Sequence, residues 1–237
     1  MPVLRAVIFD FDGVLADTEK LHWELYQEVL SPLGASFSWD EYVSRWMALH
    51  DEGCIEAVLI DRKLPAEKGK VSALAAQKGK LFQERLGRGR VDLFPGVASL
   101  VGRLAAKMPI AIASGALRIE VEAVLRAHGL LPSFSAVVAA EDCEHHKPHP
   151  EPYERALAAL NRRQGAAGIS PRETLVFEDT PDGIRSAKRA GMWCVGITNS
   201  YPAEKLEAAD LAVEGLEGIE LLGLEARLES GAALGAK

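Results

Sequence analysis

The sequence predicts an α/β protein, a doubly wound (Rossmann-like) parallel sheet that carries an inserted all-helical cap subdomain. Three observations predict it. From Leu93 onward, short apolar runs rich in strand-favouring residues alternate with apolar stripes at helical spacing, the pattern of a parallel sheet with right-handed crossovers. One such run, Val7-Ile8-Phe9, stands far ahead of the others at the start of the chain. Between it and the rest, Thr18 to Val91 shows helical periodicity and no convincing strand. The division that follows is a core of residues 1–16 and 92–237 and a helical cap of residues 17–91.

The bulk properties agree. A chain of 237 residues with 48% hydrophobic content suffices for one ordinary core and a smaller second one. A net charge of −7 argues against nucleic acid or an anionic membrane as partner, because both are bound through basic surface. No basic segment leading into an apolar one opens the sequence, and no apolar run reaches membrane-spanning length. Cys54, Cys143 and Cys194 are odd in number and far apart, which suits free thiols in a reducing cytoplasm. The Gly/Ala-rich tail Gly231–Lys237 reads as frayed.

Element by element, Val7-Ile8-Phe9 is a buried strand. Leu21, Leu25 and Val29 form a helix stripe that should stop near Ser31-Pro32-Leu33-Gly34. Ser38 and Glu41 stand in the capping-box relation and start the next helix. Further helices cover Asp51–Arg62 and Ala66–Arg88, the latter ending in Leu86-Gly87-Arg88-Gly89. Val97, Leu100, Val101 and Leu104 are a helix stripe, and Pro109–Gly115 a strand running into a polar turn. Leu117 to Leu125 is a helix that Gly129 closes, Val137-Val138-Ala139 a strand, and Tyr153 to Leu160 a helix. Thr174–Phe177 is a strand ending in Glu178-Asp179, followed by a helix from about Asp182 to Ala190. Cys194–Ile197 and Leu211–Val213 complete the sheet.

The chemistry collects at strand ends, where open α/β sheets place ligands. Asp10 and Asp12 lie at and just past the end of the first strand. Two carboxylates that close repel unless a cation or a shared proton compensates. The strands that end in Ser114-Gly115 and in Glu178-Asp179 belong in the same crevice.

Asp10-Phe11-Asp12-Gly13, Ser114-Gly115, Lys147-Pro148 and Glu178-Asp179-Thr180 stand in the order of the four motifs of the haloacid dehalogenase superfamily, which the chain resembles over nearly its whole length. Phe94-Pro95-Gly96-Val97 and Gly183…Ala190-Gly191-Met192 look like that family too. The resemblance is best to its helical-cap branch of phosphosugar phosphatases and β-phosphoglucomutases. It implies Asp10 as nucleophile, forming an aspartyl-phosphate, and Asp12 as general acid and base. It implies Mg²⁺ held by the Asp10 carboxylate, the Asp12 backbone carbonyl and Asp179, with Glu178 close by. Ser114 and the Gly115 N–H would bind phosphoryl oxygens, and Lys147 would offset the crowded negative charge. Gly13–Thr18 would be the hinge into the cap, and monomer is the default for capped members. One departure stands out: many relatives carry an acid four residues after the metal-binding Asp, and here that position is Gly183. Glu178 is the alternative arrangement, and Asp182 suits a helix N-terminus.

The cap should choose the substrate, since the core motifs address only the phosphoryl group. His22 sits where mutase-like relatives often carry a histidine near the leaving group, and Lys78 is the second favoured substrate-binding residue. Arg45 and His50 are further polar candidates, while Trp23, Trp39 and Trp46 read as cap core. Asp142-Cys143-Glu144-His145-His146-Lys147-Pro148-His149 holds zinc-type ligands, but its spacing matches no paired structural-zinc pattern, so it reads as the loop presenting Lys147. The leading function is a Mg²⁺-dependent phosphatase of a small phosphorylated metabolite such as a sugar phosphate. A phosphomutase is the alternative on the same core. A dehalogenase would need neither Asp12 nor Glu178-Asp179. A phospho-aspartate receiver would place its acceptor mid-chain and carry no cap, and a catalytically dead metabolite-binding protein would lack a core position.

Overall fold

The computed structural model describes residues 4–47, 49–88, 91–164, 168–220, 223, 224 and 226; the Gly/Ala-rich tail and Gly89 lie outside them. In chain order its main elements are β1 (Ala6–Phe9), α1 (Glu19–Leu30), α2 (Trp39–Arg45), α3 (Asp51–Asp61), α4 (Lys68–Arg88), α5 (Val97–Ala105), β2 (Ile110–Ala113), α6 (Arg118–Ala127) and β3 (Ala136–Val138). There follow α7 (Glu151–Gln164), β4 (Thr174–Glu178), α8 (Pro181–Arg189), β5 (Trp193–Ile197) and β6 (Leu211–Val213). The six strands form one parallel sheet in the order β3-β2-β1-β4-β5-β6.

Every residue of β1, β2 and β4 is buried, as a sheet covered on both faces requires. Side chains of a strand alternate between faces. Val7 and Phe9 therefore pack with Val101, Leu104, Val121 and Leu125 of α5 and α6. Ala6 and Ile8 pack with Tyr153, Leu157, Leu160, Ile184 and Ala187 of α7 and α8. Phe9 stacks on Phe177 with ring centroids 5.2 Å apart, locking β1 to β4.

Helices α1 to α4 enclose a separate apolar cluster that includes Tyr26, Val29, Phe37, Trp46, Ile55 and Leu59. α1 ends in a short 3₁₀ turn at Ser31–Leu33, and Gly34 takes φ of 74° to close it. The capping box of α2 forms as the sequence suggests: the Ser38 hydroxyl accepts from Glu41 N–H, and the Glu41 carboxylate accepts from Ser38 N–H. Trp46 is buried in this cluster and Trp23 packs against it. Trp39 departs from expectation: it stands edge-on to Trp23 and stays 38% exposed, because the first residue of α2 faces outward.

The chain leaves and re-enters the sheet side by side. Asp17 N–H donates to Asp92 O at 3.0 Å and Phe94 N–H to Leu15 O at 3.1 Å. α4 packs on α6, bringing the helical block over the carboxyl ends of the strands.

Candidate active site

β1 lies between β2 and β4, with Phe9 opposite Ile112 on one side and Phe177 on the other. That register sets Asp10, Ser114 and Glu178-Asp179 next to one another, one from each strand end. The Asp10 N–H continues the ladder by donating to Phe177 O at 2.9 Å, which fixes its backbone as firmly as a strand residue.

Lys147 ties the acids together. Its Nζ lies 2.7 Å from Asp10 Oδ1 and donates to Glu178 Oε1 at 2.6 Å. Glu178 is fully enclosed: Tyr153 OH donates to Oε1 at 2.7 Å, and the N–H groups of Asp179 and Thr180 and the Thr180 hydroxyl donate to Oε2 at 2.9–3.1 Å. Burial opposes its charge, but Lys147 and these donors hold its carboxyl below the usual range. Asp10 is raised well above its ordinary value by burial and then by the Glu178 charge, against the pull of Lys147. Asp179 is raised likewise by burial, Glu178 and Asp10. Its Oδ2 accepts from the Ser200 hydroxyl, while its Oδ1 is buried without a partner.

Ligand atoms of Asp10, Glu178 and Asp179 all lie within 4.8 Å of one another. Three buried carboxylates against one ammonium, with an orphaned oxygen among them, make a set of hard donors in excess negative charge. A small divalent cation fits these residues.

Two glycines are forced by this crowding. Gly13 takes φ of +73°, and a Cβ there would lie 1.8 Å from Asp179 Oδ2. At Gly183 a Cβ would lie 1.7 Å from Glu178 Oε1. Glu178 thus fills the space where an acid at position 183 would stand, which accounts for the departure noted in the sequence.

Asp12 faces the helical block. Its Oδ1 accepts from the Thr18 hydroxyl, and His22 Nε2 approaches it to 3.4 Å. Burial raises its carboxyl, but His22, Thr18 and the charge of Lys78 outweigh that and lower it. Behind His22, Lys78 is wholly buried, with Nζ 2.6 Å from His22 Nδ1 and 2.6 Å from Asp51 Oδ1. An ammonium donating to Nδ1 leaves the imidazole proton on Nε2, facing Asp12; the tautomer is assigned from this network. Phe82 stacks on the imidazole at 5.1 Å and holds the ring in place.

The cleft between sheet and helices is lined by Asp10, Asp12, His22, Gly115, Lys147 and Thr180 among others. Ser114 is buried at its edge, with Oγ accepting from Ala116 N–H at 2.9 Å and its own proton left to donate. His50 lines the cleft and stacks on His146 at 3.9 Å. Arg45 does not reach it, pairing instead with Asp61 over the Trp46 ring. Asp182 pairs with Arg185 along α8. In the His-rich loop, ligand atoms of His145, His149 and Glu151 also come within 4.8 Å, but both Glu151 oxygens already accept bonds from Glu144 N–H, His145 and Arg155. A larger groove beside β6, with Glu214, Glu217 and Glu220, carries none of this chemistry. Glu19, Asp51, Tyr26 and Tyr42 line the cleft as well, and none of them is a site residue by sequence pattern; the adjacency of Glu19 to Thr18 is the local signal that points to it.

The family model of haloacid dehalogenase-like hydrolases matches residues 7–197. The chain belongs to this family. Protein CbbY of Rhodobacter capsulatus is 32% identical over 222 residues, covering 90% of this chain and 94% of that protein. Fructose-1-phosphate phosphatase YqaB of Escherichia coli is 30% identical, covering 81% and 95%. Among solved structures, CbbY from Rhodobacter sphaeroides in complex with phosphate superposes with a TM-score of 0.82 at 27% identity, covering 94% of this chain and 99% of that one. Within this haloacid dehalogenase-like chain, the four motifs occupy one cleft at the carboxyl edge of β1, β2 and β4.

Proposed function

We propose that the chain is a Mg²⁺-dependent phosphatase that hydrolyses a small phosphorylated metabolite, a sugar phosphate, through an aspartyl-phosphate on Asp10. The observation that carries this is the pairing of Asp10 with a second acid, Asp12, whose carboxylate is served by Thr18 and His22 on the leaving-group side. Asp10 Oδ attacks phosphorus as the bond to the substrate oxygen breaks, and Asp12 gives that oxygen its proton. Asp12 then takes a proton from water, which attacks phosphorus and frees the Asp10 carboxylate. Asp12 rests ionised, and the negative phosphoryl group beside it raises its proton affinity for the first step. Ser114 and the Gly115 N–H serve as donors to phosphoryl oxygens, and Lys147 holds Asp10 aimed and offsets charge.

Asp10, Asp179 and the Asp12 carbonyl, with Glu178 near, would hold Mg²⁺, which supplies charge neutralisation to the phosphoryl oxygens when bound. The names of the relatives support the reading, since a sugar-phosphate phosphatase is among them. A panel of sugar monophosphates assayed for free phosphate tests it. Parent activity that Asp10→Asn abolishes supports the reading, and equal activity in both proteins overturns it. A coupled assay on β-glucose 1-phosphate separates a phosphomutase by its isomerised product.

A further inference from the structure

Resting on the phosphatase reading, we infer that the cap half of the cleft selects a leaving group that bears hydrogen-bond donors, hydroxyl or ammonium, and rejects one that bears a second anion. Asp51 is the specificity-determining residue. Asp51 lines the cleft at the start of α3. Its Oδ1 is satisfied twice, by Tyr26 OH at 2.7 Å and Lys78 Nζ at 2.6 Å. Its Oδ2 is buried and has no partner. A buried carboxylate oxygen left unmet needs a donor, and the cleft that Asp51 lines is where a substrate would bring one.

The cationic side of the balance points the same way. Of the two ammonium groups at the cleft, Lys147 is engaged by Asp10 and Glu178, and Lys78 is fully buried and engaged by Asp51 and His22. Glu19 also lines this half, accepting from Tyr42 OH at 2.8 Å. Among the described lining residues no lysine or arginine is left unpaired for a second phosphate or a carboxylate. Sites built to bond a hydroxyl or ammonium discriminate strongly against analogues that lack it, and like charges brought together add to the discrimination.

The test is a matched series on the Mg²⁺-loaded full chain: a hexose monophosphate, the amino-sugar monophosphate, the sugar-acid monophosphate and the hexose bisphosphate, with p-nitrophenyl phosphate as the control lacking remote donors. Expected is a kcat/KM at least about tenfold lower for the bisphosphate and the sugar acid than for the neutral and amino sugars. Asp51→Asn should narrow that gap at least about fivefold while changing p-nitrophenyl phosphate hydrolysis by no more than the neutral sugar. A merely structural role for Asp51 would lower all substrates together and leave the ratio unmoved, which overturns the assignment. Parent enzyme that hydrolyses p-nitrophenyl phosphate yet favours the bisphosphate or the sugar acid overturns the inference and leaves the phosphatase reading standing. Absence of hydrolysis of every ester overturns both.

Discussion

Replacing Gly183 with alanine adds one methyl group and should cost far more than a methyl group does at a helix start. The new Cβ would stand 1.7 Å from Glu178 Oε1 and 1.9 Å from its Cδ, so the carboxylate must leave its place. With it go the bonds from Lys147, Tyr153, Asp179 N–H and Thr180. Breaking a buried, hydrogen-bonded ion pair costs about 3–5 kcal/mol, which for a chain of this size lowers Tm by roughly 10 °C. In a Glu178→Ala background the space is already free. There Gly183→Ala should stay within about 1 kcal/mol of neutral, or stabilise, because alanine outranks glycine in a helix. Urea denaturation of the four metal-free proteins at pH 7 gives the cycle, with an expected coupling of at least about 2 kcal/mol. A Gly183→Ala penalty below about 0.5 kcal/mol, or one equal in both backgrounds, would refute the claim that Glu178 dictates this glycine.

Further outcomes follow from the same cleft. At a hundredfold excess over its Kd, Mg²⁺ should stabilise the parent by about 2.7 kcal/mol. In differential scanning calorimetry Asp179→Asn should lose that gain, while its metal-free form is at least as stable as the parent's. The Asp179 carboxyl is raised on folding, so its contribution is favourable at low pH and is lost as pH rises. Burial, and then the nearby charge of Asp12, push Glu19 from 4.5 up to about 7. Its contribution is therefore complete below pH 4.5 and lost as pH climbs through about 7. Glu19→Gln should then stabilise the fold above pH 7, by less than about 3 kcal/mol because solvent screens part of the effect, and leave stability at pH 4 unchanged. A Glu19→Gln curve parallel to the parent's at both pH values would count against that burial.

Most of the fold was legible because its signals are local. Period-2 and period-3.6 apolar patterns, with Gly34, Gly129 and the Ser38–Glu41 box as punctuation, place most elements to within two residues, while α7 runs four residues beyond the last apolar position, Leu160, that marks it. The core acids were legible because each sits beside a strand whose end is marked by its own run of apolar residues. What could not be read is convergence between distant side chains. Tyr153 looks like one more apolar position of α7, yet its hydroxyl serves Glu178. Ser200 lies in a turn after β5 and reaches Asp179 only because β5 pairs with β4. Asp51 reads as a helix start, and its role depends on Lys78, from a helix far along the chain, arriving beside it. Trp39 failed for the opposite reason: an aromatic at the first turn of a short helix is free to face outward.

In the proposed reaction Asp10 carries the phosphoryl group between substrate and water. Rapid acid quench of the Mg²⁺-loaded enzyme during turnover of a sugar monophosphate, followed by peptide mapping, tests it directly. Expected is one phosphoryl group, labile to hydroxylamine and located on Asp10 by fragmentation of the peptide it shares with Asp12, and none on Ser114 or the His145–His149 loop. Phosphorylation of another residue, or turnover with no modified Asp10 peptide at any quench time, would contradict it.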